Sequence, residues 1–215
     1  MKKISLIALA LTTSLAVFAQ NENVTKMAIV PRFGIKAGVN LAKLRPSSYG
    51  SNEPSTNMKS TFGGGAFVNL PLGTGGVALQ PEVMYSRQGS KMKQTVGTTT
   101  TSFEQDLGYI NVPVMLQWKS AGGFFVETGP QAGFLIHAQQ EGPGNNAETE
   151  NKDMFKPFDF AWGAGLGYLS RIGLAIGARY NHGFRNVLDN DADQNPSLRN
   201  SVVNVGLAWH FGAGK

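Results

Sequence analysis

The sequence predicts an all-β chain: an eight-stranded antiparallel up-and-down transmembrane β-barrel that follows a cleaved N-terminal signal peptide. Three observations predict it. Strand-length segments alternate between an apolar face and a small or polar face, the apolar faces carry no charge through their middles, and the connections alternate between short and long. The run from Arg171 to Asn181 shows the first most clearly. Ile172, Leu174, Ile176, Ala178 and Tyr180 occupy every even position, while Gly, Ala, Arg and Asn occupy the odd ones. A two-residue period is that of a strand. Several such strands in succession predict a barrel with its apolar side in lipid. Closure also satisfies the backbone groups that lipid cannot.

The 215 residues suffice for one domain. There is no cysteine, which excludes a disulfide framework, a thiolate metal site and a lipoprotein anchor. The formal charge is +5, but Lys2 and Lys3 belong to an export segment. No basic run interleaved with aromatics remains, so nucleic acid is not an expected partner. Residues 1–19 read as the signal peptide: Lys2 and Lys3 form the basic start, Ile4 to Val17 the apolar stretch, and Val17-Phe18-Ala19 the cleavage motif, with cutting between Ala19 and Gln20. The apolar stretch is shorter than the ~20 residues of a spanning helix. Residues 20–31 are then a periplasmic N-terminal segment, 32–211 the barrel and 212–215 a C-terminal tail.

The first strand is expected near 32–41, with Phe33, Ile35, Ala37, Val39 and Leu41 opposite Lys36 and Asn40. The second, 58–70, sets Phe62, Ala66, Val68 and Leu70 against Lys59, Thr61 and Asn69. The third, 76–88, sets Val77, Leu79, Val83 and Tyr85 against Gln80, Glu82, Ser86 and Gln88. In the fourth, 103–118, Ile110, Val112, Val114, Leu116 and Trp118 oppose Tyr109, Asn111 and Gln117. In the fifth, 123–138, Phe124, Val126, Ala132, Phe134 and Ile136 oppose Glu127, Gln131 and His137. The sixth, 157–168, places Phe158, Phe160, Trp162, Ala164, Leu166 and Tyr168 opposite Asp159 and three glycines. The seventh begins at Ile172. The eighth, 200–211, sets Val203, Val205, Leu207, Trp209 and Phe211 against Asn204 and His210.

Lys36, Glu82, Glu127, Asp159 and Arg179 all fall on the polar faces. A lipid-facing Arg or Lys at mid-bilayer costs ~2–4 kcal/mol, so this segregation is what a membrane surface demands. Short connections at 71–75, 119–122 and 170–171 alternate with long polar ones at 45–57, 89–102, 139–156 and 186–199. Short periplasmic turns opposite long external loops are the anatomy of such barrels. With the N terminus in the periplasm, eight strands return the C terminus there. Trp118, Phe124, Tyr168, Trp209 and Phe211 then belong to the periplasmic rim, and Tyr85 and Tyr180 lie nearer the outer one, at interfaces suited to aromatic rings.

Five phrases carry a resemblance: Phe33-Gly34-Ile35-Lys36-Ala37-Gly38-Val39-Asn40-Leu41, Gln80-Pro81-Glu82-Val83-Met84-Tyr85-Ser86-Arg87-Gln88-Gly89, Tyr109-Ile110-Asn111-Val112-Pro113-Val114-Met115-Leu116, Glu127-Thr128-Gly129-Pro130-Gln131-Ala132-Gly133 and Gly177-Ala178-Arg179-Tyr180-Asn181-His182-Gly183. Together they resemble the PorT-type outer-membrane β-barrel family, often labelled a porin family. The resemblance spans nearly the whole mature chain. It implies the outer membrane of a Gram-negative cell, outer-membrane lipid as surroundings and insertion by the barrel-assembly machinery. It does not imply one activity, since some members are linked to gliding or protein secretion.

The candidate site is a lumen charge network of Lys36, Glu82, Glu127 and Arg179. They lie on the inward faces of alternate strands, where opposite signs can meet. The network is either a selective constriction or a set of ion pairs that fills a narrow interior. Inward glycines at 34, 38, 129, 133, 163, 165, 167, 173 and 177 leave space for water or a ligand, or let strands coil tightly. His137, His182 and His210 fall on different strands without ligand spacing. The stretch Leu188-Asp189-Asn190-Asp191-Ala192-Asp193 has calcium-type oxygens but lacks the glycine and terminal glutamate of a calcium loop. No catalytic residue, metal or cofactor is expected. The expected function is a non-enzymatic barrel, structural or interacting with a solute or partner through its lumen and loops. The alternatives are a membrane component of a transport or secretion assembly, and a barrel enzyme.

Overall fold

The computed structural model describes residues 30–47, 55–96, 99–142, 148–189 and 197–212. The expected signal peptide with its Ala19–Gln20 site, most of the 20–31 segment and the tail beyond Gly212 lie outside the described residues. Ten strands follow in order: β1 (Arg32–Ser47), β2 (Ser55–Asn57), β3 (Lys59–Pro71), β4 (Val77–Val96), β5 (Thr99–Lys119), β6 (Phe124–Glu141), β7 (Glu148–Glu150), β8 (Phe158–Leu169), β9 (Leu174–Gly183) and β10 (Ser197–His210). Eight are long. β2 and β7 are three-residue pieces paired to β4 and β6. Each long strand pairs antiparallel with its successor, and β1 pairs with β10, so the sheet closes on itself as an up-and-down ring. Closure leaves the ring without an edge.

The alternation read from the sequence is the inside–outside alternation of this ring. On β1, Phe33, Ile35, Val39 and Leu41 are exposed while Gly34 and Asn40 are buried. The registers carry the same parity around the barrel: Ile35 stands beside Trp209 and Ala66, and Leu207 beside Ile176. Ile35, Val83 and Leu207 each keep just over half their surface exposed, at 52%, 55% and 53%. A continuous belt of such side chains is foreign to a water-soluble surface and fits hydrocarbon. Outward charge on β1 and β4 first appears at Lys43 and Arg87, beyond the belt. Within the belt, the Trp162 indole donates to the Thr128 hydroxyl at 2.8 Å, and that hydroxyl donates to the Gly163 carbonyl at 3.0 Å. These bonds satisfy polar groups that lipid would leave unpaired.

Two of the short turns are built alike. In Ser120-Ala121-Gly122-Gly123, the Gly123 amide donates to the Ser120 carbonyl and the Ser120 amide to the Phe124 carbonyl. Ser170-Arg171-Ile172-Gly173 repeats both bonds. The last residue has φ +96° in Gly123 and +92° in Gly173, as a three-residue hairpin loop ending in a left-handed residue requires. Gly173, expected to leave space in the lumen, is therefore a turn residue.

Toward the long-loop end the strands run further than expected. β4 and β5 continue to Val96 and from Thr99, so most of the expected 89–102 loop is a two-stranded extension. The 45–57 and 139–156 loops likewise contain the end of β1, β2, the end of β6, β7 and a 3₁₀ turn at Lys152–Met154. Beyond the lipid belt the outward face meets water in place of hydrocarbon, so the apolar outer face that marks a strand ends, while inward residues such as Met92 and Phe103 join the buried apolar cluster. The extension is stapled by charge: Lys59 reaches Glu104 at 2.9 Å and Asp106 at 2.6 Å, and Lys91 reaches Glu104 at 2.9 Å. A bulge alters one expected side. Tyr109 pairs with Leu135 but Gly108 pairs with His137, which skips Ile136 and turns His137 to the outward side with Gly108, away from the lumen.

The chain from Gln20 onward, folded in detergent, is expected to migrate differently boiled and unboiled on a gel and to give strand-type circular dichroism. Equal migration together with solubility in plain buffer is incompatible with a closed membrane barrel. Gly173→Ala, which forces a side chain into the left-handed region, is expected to lower unfolding stability by about 1–2 kcal/mol, read from the urea midpoint in detergent.

Candidate functional site

The lumen is filled in layers, which follow the inward residues of β1 from the short-turn end: Gly34, Lys36, Gly38, Asn40, Ala42 and Leu44. At the short-turn end two phenylalanines turn inward. The Phe67 ring lies where a side chain on Gly34 would be, 4.7 Å from the His210 ring and edge-on to it. The Phe125 ring lies against Gly167 and Gly177. These glycines make room for rings, so part of the space expected in the lumen is occupied by aromatic carbon.

The next layer brings together Lys36, Glu82, Glu127 and Arg179. The Arg179 guanidinium grips Glu82 with two bonds, Nη1 to Oε2 at 2.8 Å and Nη2 to Oε1 at 2.7 Å, while its Nε donates to Glu127 Oε1 at 2.7 Å. Lys36 Nζ donates to Glu82 Oε1 at 2.8 Å. Four strands, β1, β4, β6 and β9, thus meet at the barrel centre. The two positive and two negative charges balance. Amides complete the shell: Gln80 donates to Glu82 Oε1 at 2.9 Å, Gln117 to Glu127 Oε2 at 3.5 Å, and Asn69 to both glutamines at 3.0 and 3.2 Å. Buried ions are tolerated when they are paired and their remaining lone pairs are satisfied.

Beyond the charges comes an amide and hydroxyl layer. Asn204 donates to Asn40 at 2.8 Å, and Asn40 donates to Ser86 at 3.1 Å and to the Arg87 carbonyl at 3.0 Å. Asn200 then joins Asp159 at 2.7 Å and approaches the Tyr109 hydroxyl at 3.5 Å. The last layer is apolar: Leu44, Leu107, Tyr109, Leu135 and Leu198 point inward and pack with Phe155 and Val187. Those two side chains arrive on connecting segments held over the strands. Phe155 bridges to Leu188, and the Val187 amide donates to the Leu198 carbonyl at 2.8 Å.

Two cavities flank the charge layer, of about 50 and 30 Å³. A water needs some 10–15 Å³ on this measure, so each holds a handful of waters and no metabolite. The arrangement cross-links the barrel through β1, β4, β6 and β9. Its carboxylates are committed to cations rather than poised for acid–base chemistry.

Of the seven rim aromatics, Trp118, Phe124, Tyr168, Trp209 and Phe211 cluster beside the short turns, where the Phe124 and Tyr168 rings meet edge-on at 5.1 Å. Tyr85 lies farther along the outward face beside Phe62, and Tyr180 accepts from Ser201 at 3.1 Å. The three histidines are not gathered: His137 is outward on β6, His182 stands at the long-loop end of β9 and His210 at the short-turn end of β10. Of the 188–193 stretch, Leu188 and Asp189 are described and the rest lies outside the described residues. Among the described residues no three His, Asp or Glu side chains are grouped to hold a metal.

The inward rings of Phe67 and Phe125 were hidden in the sequence by apolar neighbours on both sides, Ala66 and Val68, and Phe124 and Val126. The signal that points to them is the glycines on facing strands: Gly34 pairs with Phe67, and Gly167 with Phe125.

Arg179→Met strips both glutamates of their shared partner and is expected to destabilise the barrel by ~3–5 kcal/mol, read as a lowered urea midpoint in detergent. Adding Glu82→Leu and Glu127→Leu to it is expected to restore part of that loss. If the triple variant were no more stable than Arg179→Met, unpaired charge would not be the cause.

Solved structures with this architecture include Neisserial surface protein A, with TM-score 0.51 and 13% identity over 83% of this chain and 97% of that one. They also include the outer membrane protein OprG from Pseudomonas aeruginosa, with TM-score 0.51 and 10% identity over 85% and 97%. At such identities the likeness is one of fold. No curated protein matches the chain by sequence. The family model described as outer membrane protein beta-barrel domain matches residues 18–189, most of the ring and its charged centre. With the closed sheet, the lipid-type exterior and that match in agreement, the chain belongs to the outer membrane protein beta-barrel domain family.

Proposed function

We propose that the protein is a closed, non-enzymatic outer-membrane barrel of the PorT-like type that acts through its long-loop end, as a structural element or a partner-binding surface, and does not conduct solutes. One observation carries this reading: the lumen is crossed in succession by Phe67 and Phe125, the ion-paired layer, the amide layer and the apolar layer, with only small cavities between them. Eight strands enclose only enough width for side chains, whereas open aqueous channels belong to barrels of about twice that number. Against an enzyme stand the commitment of Glu82 and Glu127 to Arg179 and the dispersal of the histidines.

In this reading the short turns and both termini face the periplasm, and the stapled β4–β5 extension with β2 and β7 stands outside. That extension is the surface on which a secretion or surface assembly would dock. Its strands continue well past the lipid belt, from Ser90 paired with Gln105 to Val96 paired with Thr99. Insertion would depend on the barrel-assembly machinery, as the family resemblance implies.

In planar bilayers the purified barrel is expected to give no steady conductance. Stable single-channel steps in wild type would overturn the closed-lumen reading. Mild-detergent extraction of tagged protein from its own outer membrane is expected to bring down a defined partner, which is lost when residues 90–105 are replaced by a short turn.

A further inference from the structure

Three cationic side chains gather on the outward face of β1 and β10, at the long-loop edge of the apolar belt. The last wholly lipid-type row there is Leu41–Val203–Tyr180. The next outward row is Lys43–Ser201–His182, and in the row after that Arg45 stands directly beside Arg199. Like charges opposite one another on neighbouring strands repel, and an anion between them removes that cost. Arg45 reaches across β10 to β9, where Nη2 lies 3.3 Å from His182 Nε2 and 3.3 Å from the Gly183 carbonyl. Its Nε is buried and bonded to nothing among the described residues. Neither arginine nor Lys43 forms an ion pair with a described carboxylate. The edge is completed by Tyr180, whose hydroxyl lies 3.2 Å from His182 Nδ1, and by Phe184, whose ring lies 5.1 Å from that of His182.

We propose that Lys43, Arg45, Arg199 and His182 form a binding site for the phosphate headgroup of a membrane lipid in the leaflet at the long-loop end. Guanidinium groups match phosphate oxygens in geometry as well as charge. The position selects a lipid over a soluble anion, because the cations sit one and two outward rows above an apolar row on which acyl chains lie, beside rings suited to the interface. Long cationic side chains at this level reach headgroups while their stems stay in hydrocarbon. The assignment rests on the reading of the belt as membrane-embedded.

The test uses the mature chain in phosphatidylcholine nanodiscs doped with phosphatidic acid, with the retained lipid counted by native mass spectrometry. Wild type is expected to retain phosphatidic acid in preference to phosphatidylcholine. Arg45→Gln/Arg199→Gln is expected to retain about tenfold less. Arg199→Gln alone, which breaks no bond among the described residues, is expected to fall between them. Lys93→Gln/Arg171→Gln, with the same loss of charge away from the patch, is expected to match wild type. Equal retention by all four proteins, or an equal loss in the Lys93/Arg171 control, overturns the site. Displacement of the lipid by inorganic phosphate, with phosphate itself bound to the detergent-solubilised barrel, overturns the lipid assignment in favour of a free anion. An inserted barrel that shifts on boiling and shows no lipid preference defeats this proposal alone. A chain that neither inserts nor shifts defeats the membrane reading and the site with it.

Discussion

Lipid admits no unpaired charge and no unpaired backbone group, and nearly everything else in this structure follows from that exclusion. It forces the sheet to close, since an open edge would expose amides and carbonyls to hydrocarbon. It sends the ionisable groups of the spanning segments to the one other place available, the interior. Lys36, Glu82, Glu127 and Arg179 are therefore neighbours because they share a required side, although Lys36 and Arg179 stand at opposite ends of the barrel sequence. In a ring this narrow, side chains pointing inward must meet.

That meeting has its own requirement. A charge inside the barrel is shielded from bulk water by the wall, so it must find an opposite charge and enough hydrogen bonds. Arg179 is suited to the centre because its fork serves two carboxylates at once, and Lys36 supplies the second cation that balances Glu82. The surrounding glutamines and asparagines then act as adaptable donors. Such a network ties β1, β4, β6 and β9 into one unit across the lumen, in addition to the hydrogen bonds that tie neighbours along the wall. The same packing leaves cavities of only about 50 and 30 Å³ beside the charge layer.

The two ends are closed by different means. Near the short turns, aromatic rings do the work on both sides of the wall: Phe67 and Phe125 fill the interior against glycines, and Trp118, Phe124, Tyr168 and Trp209 line the exterior. At the other end the inward residues turn apolar, and Phe155 and Val187 are laid over them by connecting segments. Outside this lid the chain is free of lipid. Ion pairs such as Lys59–Asp106 then carry the strands onward.

The fold class, the side each strand segment presents and the four charges that share the interior are legible in the residue order. All of these are set by a two-residue period read against a surface that rejects charge, and that period is local. Tertiary structure alone decided which inward groups touch, because contacts across the lumen join strands far apart in the chain. It alone showed that glycines at 34, 167 and 177 are sockets for phenylalanine, since Phe67 and Phe125 lie between apolar neighbours and their parity is settled by register. It also moved His137 to the outward side through a bulge that an alternating pattern cannot announce. Past the lipid belt, where the outward face meets water, the apolar period on that face loses its cause. There the extended β4–β5 ladder and the paired arginines at 45 and 199 became visible only in three dimensions.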